Sequence, residues 1–120
     1  MSDVEQAEEF LRYFSMKQHA LLSYRTDGTV YIQRLGDDAW RLHATKKTDV
    51  ALEAWMDQIR KAVHQMPAWV REVTALPTLD ELEEWVEGCS VCETPSGHCV
   101  EPDGEGPDGV PSWLLCLGLI

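Results

Sequence analysis

The chain has 120 residues, of which 44% are hydrophobic and 26% charged, and 21 acidic side chains outnumber ten basic ones for a formal net charge of −11. That is ordinary globular usage, which excludes a collagen-like or disordered chain and allows one compact domain. No apolar run approaches the roughly 20 residues of a membrane span, and the acidic start MSDVEQAEEF lacks the basic-then-apolar order of a signal peptide, so a cytoplasmic protein is expected.

In chain order, Ser2 and Glu5 have the spacing of a capping box, in which each side chain satisfies an orphan backbone N–H at a helix start. Val4, Ala7, Leu11 and Phe14 then recur at helical intervals, and the spacing predicts an amphipathic helix over 3–16. Segments 19–25, 29–35 and 39–44 have strand character. Asp27-Gly28 and Gly36-Asp37-Asp38 supply the turns of an antiparallel three-stranded meander. Thr48 or Asp49 can cap a helix over 49–66, with Leu52, Trp55, Met56, Ile59 and Val63 on its apolar stripe and Pro67 at its end. A short helix is expected over 68–75. Thr78 and Glu81 form a second capping box for a helix to about Glu87, burying Leu79, Leu82, Trp85 and Val86, with Gly88 as its terminator.

After residue 87 the composition shifts, and the last 33 residues hold all four Cys, six of eight Gly and four of six Pro. A small hairpin can form between 90–93 and 98–101, followed by a turn-rich loop. The ending PSWLLCLGLI is too apolar to hang in solvent and should pack on the domain or on a partner. The expected architecture is therefore α+β: an N-terminal helix, a three-stranded antiparallel meander, two or three further helices, and a Cys/Gly/Pro-rich irregular tail. The corresponding units are an α+β domain over 1–87 and the tail over 88–120.

The charge is unevenly spread. Residues 18–65 carry seven cations and six anions, whereas 66–120 carry Arg71 alone against eleven carboxylates. Such clustering opposes compaction by self-repulsion, and a basic partner would give it a use. Asp80, Glu81, Glu83, Glu84 and Glu87 form one acidic patch, and Glu101, Asp103, Glu105 and Asp108 a second.

Cys89-Ser90-Val91-Cys92 has the spacing at which a tight turn points two thiolates at one metal. With Cys92 opposite Cys99 in the hairpin, Cys89, Cys92 and Cys99 would hold one structural zinc, completed by His98 or Cys116. The alternative is no cofactor and partly buried free thiols. A redox role is disfavoured because the pair follows a helix C-terminus and lies between Glu87 and Glu93, which raise a thiol pKa. Catalysis finds no support either: there is no nucleophile elbow, no phosphate loop and no dinucleotide glycine pattern. A solvated acidic helix offers no pocket to separate the pKa values of paired carboxylates.

Two resemblances bear on function. The expected order of helix, three strands and helix over 2–65, with Lys46-Lys47 opening the second helix, resembles double-stranded-RNA-binding domains. That resemblance implies an RNA-binding αβββα module with those lysines on phosphate, which the interspersed carboxylates and the acidic second half oppose. The ending EPDGEGPDGVPSWLLCLGLI, above all 111–120, resembles the C-terminal tail of small proteins from phages and bacteria. This implies a phage or mobile-element origin, hence a host cytoplasm, and no activity. The reading these residues favour is a non-enzymatic acidic binding protein that occupies a basic surface of a nucleic-acid-handling host protein as an inhibitor or nucleic-acid mimic. It would bind neither nucleic acid nor membrane directly. A zinc-stabilised structural or assembly module is the rival.

Overall fold

A computed structural model describes residues 7–87 and 91–120. Strands β1 (Glu9–Ser15), β2 (Ala20–Arg25), β3 (Thr29–Gln33) and β4 (Arg41–Thr45) make one antiparallel sheet in the order β1-β2-β3-β4. Helix α1 (Leu52–His64), a single 3₁₀ turn (Ala68–Arg71) and helix α2 (Leu79–Glu87) follow. A two-stranded hairpin, β5 (Cys92–Glu93) and β6 (Cys99–Val100), and a short helix α3 (Trp113–Cys116) complete the fold.

The first element corrects the expectation. Residues 9–15 form a strand where a helix over 3–16 was expected, so the meander has four strands and not three. The reason lies in how β1 is buried. Tyr13 packs on one face of the sheet and Phe14 on the other, so both faces of the strand are apolar, as in strands covered on both sides. A register shift between Glu9 and Leu11 also places Phe10 and Leu11 in the same cluster, which erases the two-residue period. What is left imitates helical spacing. The Ser2–Glu5 box and Gly88 lie outside the described residues.

The turns between strands follow residue chemistry. Gly28 adopts φ +88°, the left-handed region that only glycine enters without strain, and Asp27 Oδ1 accepts from the Thr29 N–H at 3.1 Å. Helix α1 is shorter than expected, and Ala51 holds its N-cap position without any side-chain hydrogen bond, so neither Thr48 nor Asp49 caps it. The expected helix over 68–75 is reduced to the 3₁₀ turn.

Two apolar clusters sandwich the sheet. Tyr13, Leu22, Val30 and Ile32 meet Trp55 and Val63 of α1 together with Val70. On the other face Phe14 and Leu21 meet Val73, Leu82, Trp85, Cys92, Trp113 and Leu114. The tail therefore docks on its own chain and supplies half of the second core layer. Ser112 anchors it: its hydroxyl donates to the Pro102 carbonyl and accepts from the Leu115 N–H, capping α3. His19, at φ 55° in the β1–β2 turn, clasps the same tail through Nδ1 and the Cys116 carbonyl at 3.0 Å.

Candidate functional site

Helix α2 is held by the capping box its sequence implies. Glu81 accepts from the Thr78 N–H at 2.9 Å, and the Glu81 N–H donates to Thr78 Oγ1 at 3.1 Å. Leu82 and Trp85 face the core, while Asp80, Glu81, Glu83, Glu84 and Glu87 are exposed. Leu79 and Val86, expected to be buried, are 59% and 61% exposed. Seven residues apart, they fall on the same side of the helix, at the margin of the buried stripe, with Asp80, Glu83, Glu84 and Glu87 on the outer face beside them. Glu81 differs from the other four because its carboxylate is engaged in the cap. Thr78→Ala should cost about 1 kcal/mol, read as a lower urea midpoint with an unchanged slope.

The second acidic patch follows β6. Glu101, Asp103, Glu105 and Asp108 are all exposed on a loop that folds back on the hairpin. Asp108 accepts from Ser96 Oγ at 2.7 Å and from the Val110 N–H at 3.2 Å. The Ser96 hydroxyl, chiefly, holds its carboxyl below the usual range, helped by that N–H and by nearby His98. Gly106 passes so close beneath that a Cβ there would meet Asp108 Oδ1 at 2.9 Å and the His98 side chain at 3.3 Å. The hairpin tip joins the two patches. Ser96 holds Asp108, while Thr94 and Pro95 line a shallow hollow of about 270 Å³ with Glu72, Glu81 and Glu93.

The cysteines divide into two environments. In β5–β6, Cys92 pairs with Val100 and Glu93 with Cys99, so Cys92 is not opposite Cys99 as expected. The one-residue offset puts their sulfurs on opposite faces: Cys92 is buried and Cys99 exposed. Cys116 is buried in the same cluster as Cys92. His98 Nε2 turns to Asp108 Oδ2 at 3.6 Å. Cys89 lies outside the described residues. The structure thus brings Cys92 and Cys116 together and sets Cys99 and His98 apart from them. Among the described residues no three His, Cys, Asp or Glu side chains gather closely enough to hold a metal.

Burial, and secondarily Cys92, pushes the Cys116 thiol up to about 12. A thiol raised in the folded state favours folding fully below its ordinary value of 9.0 and loses that contribution as pH climbs toward about 12. Alkylation of the native protein at pH 8 should therefore modify Cys99 and spare Cys92 and Cys116, as peptide mass mapping would read. Urea should make the two buried thiols reactive.

Five of the seven cations of 18–65 make contacts within the chain. Lys46 Nζ donates to the Val50 carbonyl at 2.8 Å and to that of Lys47 at 3.3 Å. Lys61 pairs with Asp57 at 3.1 Å and Arg41 with Asp37 at 3.7 Å, while Arg25 and Arg60 stack on Tyr31 and Phe10. Among the described residues the order up to α1 is four strands and a helix, which departs from the αβββα order on which the RNA-binding resemblance stood.

Sequence reasoning missed one feature entirely. Between the sheet and α1 runs a groove of about 650 Å³ with a floor of Tyr13, Tyr24 and Val30 and a wall of Trp55 and Ile59. Burial first, then the neighbouring Tyr13 phenol, drives the Tyr24 phenol well above its ordinary value. In the sequence these aromatics look like core, and only the stand-off of α1 reveals the space.

Compared with protein-family models, with curated proteins and with solved structures, the chain matches none. No helix among the described residues is long and apolar enough to cross a membrane.

Proposed function

We propose that the protein is a non-enzymatic binding protein whose α2 and adjoining acidic loop occupy a basic surface of a nucleic-acid-handling protein. One observation supports this above others: Leu79 and Val86 stand exposed beside the acidic face that Asp80, Glu83, Glu84 and Glu87 make on one helix. Solvated acidic residues alone serve solubility, but apolar side chains left in water next to them have the make-up of an interface that is apolar on one side and charged on the other. The carboxylates would steer association and displace phosphate, and the two apolar side chains would slow dissociation. The hairpin tip extends the same surface to Asp108. A phage or mobile-element origin, with the host cytoplasm as the place of action, belongs to this proposal.

The test is capture from bacterial lysate on the immobilised full chain, with elution by duplex DNA. Specific partners should leave the resin with DNA or with raised salt, and a Leu79→Ser/Val86→Ser variant should retain them poorly. Tight binding of the purified protein to DNA itself, or partners indifferent to both changes, would overturn the reading.

A further inference from the structure

The groove under α1 lies on the opposite face of the sheet from α2 and α3, and the acidic surface makes no use of it. Its floor crosses all four strands, from Ala44 of β4 over Val30 and Leu22 to Tyr13 of β1. Three inter-strand steps make that span about 14 Å. A volume of about 650 Å³ lies within the range of small-molecule sites, and the side chains around it are mainly aromatic and aliphatic. Trp55 is already buried, but leaving half-buried Ile59 and exposed Met66 facing this space in water forgoes burial that an apolar ligand would restore.

Charge selects among apolar ligands. Among the described residues no carboxylate lines the groove, and Lys17, at the β1–β2 turn, brings an ammonium to it. His43 lines it as well, from β4, and Gln18 adds an amide beside Lys17. A cationic ligand would find no counter-ion here, and a neutral one would leave the ammonium unused. The carboxylates of α2 and of the loop after β6 belong to the layer across the sheet. At physiological salt their field is screened beyond about 8 Å.

We propose that this groove binds a small anionic amphiphile, a medium-chain carboxylate whose acyl chain lies across the sheet over Tyr13 and Val30 and whose head group meets the Lys17 ammonium. The ligand is bound and not transformed. The protein would then couple, on opposite faces of one sheet, a protein-binding surface and a lipid-like ligand site.

Calorimetric titration of the full chain with dodecanoate, dodecanol and dodecyltrimethylammonium, each below its micelle concentration, tests this. Dodecanoate should bind one to one and at least tenfold more tightly than the ammonium amphiphile. Lys17→Glu, at an exposed turn position, should weaken dodecanoate about tenfold and leave dodecanol unchanged. Ile59→Trp, which fills the groove, should abolish uptake of both while circular dichroism shows the fold intact. If Ile59→Trp fails to fold, the Lys17→Glu comparison decides alone. The proposal is overturned if dodecanoate shows no stoichiometric binding, if the cation binds as tightly, if Lys17→Glu changes nothing, or if sedimentation shows a dimer that takes up no dodecanoate. None of these outcomes touches the acidic-surface reading, whose assay uses other residues.

Discussion

Trp113→Ala should lower the unfolding free energy by about 3–5 kcal/mol, a large share of the roughly 5–15 kcal/mol that holds a domain together. Trp113 is only 7% exposed, and its ring meets Phe14 edge-on with centroids 5.4 Å apart at 89°. Phe14 is fully buried and belongs to the sheet, so this contact ties the tail to the first strand. Removing the indole takes away transfer energy and leaves a cavity between the sheet and α3 that neighbours cannot close without moving Leu114 and Cys116. Urea denaturation followed by circular dichroism is the measurement, with Leu119→Ala as the control. Leu119 is 47% exposed and should change the midpoint little. A Trp113→Ala midpoint equal to that of the parent would mean that the tail is peripheral, contrary to its place in the core.

How far the fold was legible depended on how locally each element is determined. The Thr78–Glu81 box sets the start of α2 through contacts three residues apart, and those contacts form. The Asp27-Gly28 turn is equally local. By contrast, β1 is decided not by its neighbour β2 alone but by partners far along the chain, Trp55 beneath Phe10 and Trp113 beside Phe14. Its own residues offer apolar side chains to both faces and a bulge, a pattern that helix spacing matches as well as strand spacing. The exposure of Leu79 and Val86 escaped for a related reason. Their spacing places them beside the buried stripe, and how wide a stripe the core covers is settled by what lies opposite. The acidic patches were legible as sequence, but their union through Ser96 and the hairpin tip was not, because that bond joins residues twelve apart across a loop. The hairpin was foreseen and its register was not. The offset of one residue decides which sulfur is buried.

The charges of α2 give the second large effect. Replacing Asp80, Glu83, Glu84 and Glu87 with Asn or Gln, while keeping Glu81 for its capping role, should leave stability almost unchanged. Asp80 sits in the first turn, where a negative charge complements the helix dipole, and its loss costs about 0.3–1 kcal/mol. Glu87 sits at the opposite end, where no basic residue offsets the dipole, and its neutralisation returns a similar amount. The pairs Asp80–Glu84 and Glu83–Glu87 are like charges four apart, and relieving each gains about 0.2–0.5 kcal/mol. Association is another matter, since clustered charge accelerates encounter with a basic surface by roughly 10–10³-fold at low salt. With a partner captured by the wild-type chain, the variant should bind with an on-rate lower by about ten- to a hundred-fold and an off-rate nearly the same. Its on-rate should also lose most of its dependence on ionic strength. Stopped-flow mixing at two salt concentrations, beside urea melts of both proteins, separates the kinetic change from any change in folding. An on-rate indifferent to the four substitutions would remove the carboxylates from the interface and leave Leu79 and Val86 to carry the contact without electrostatic steering.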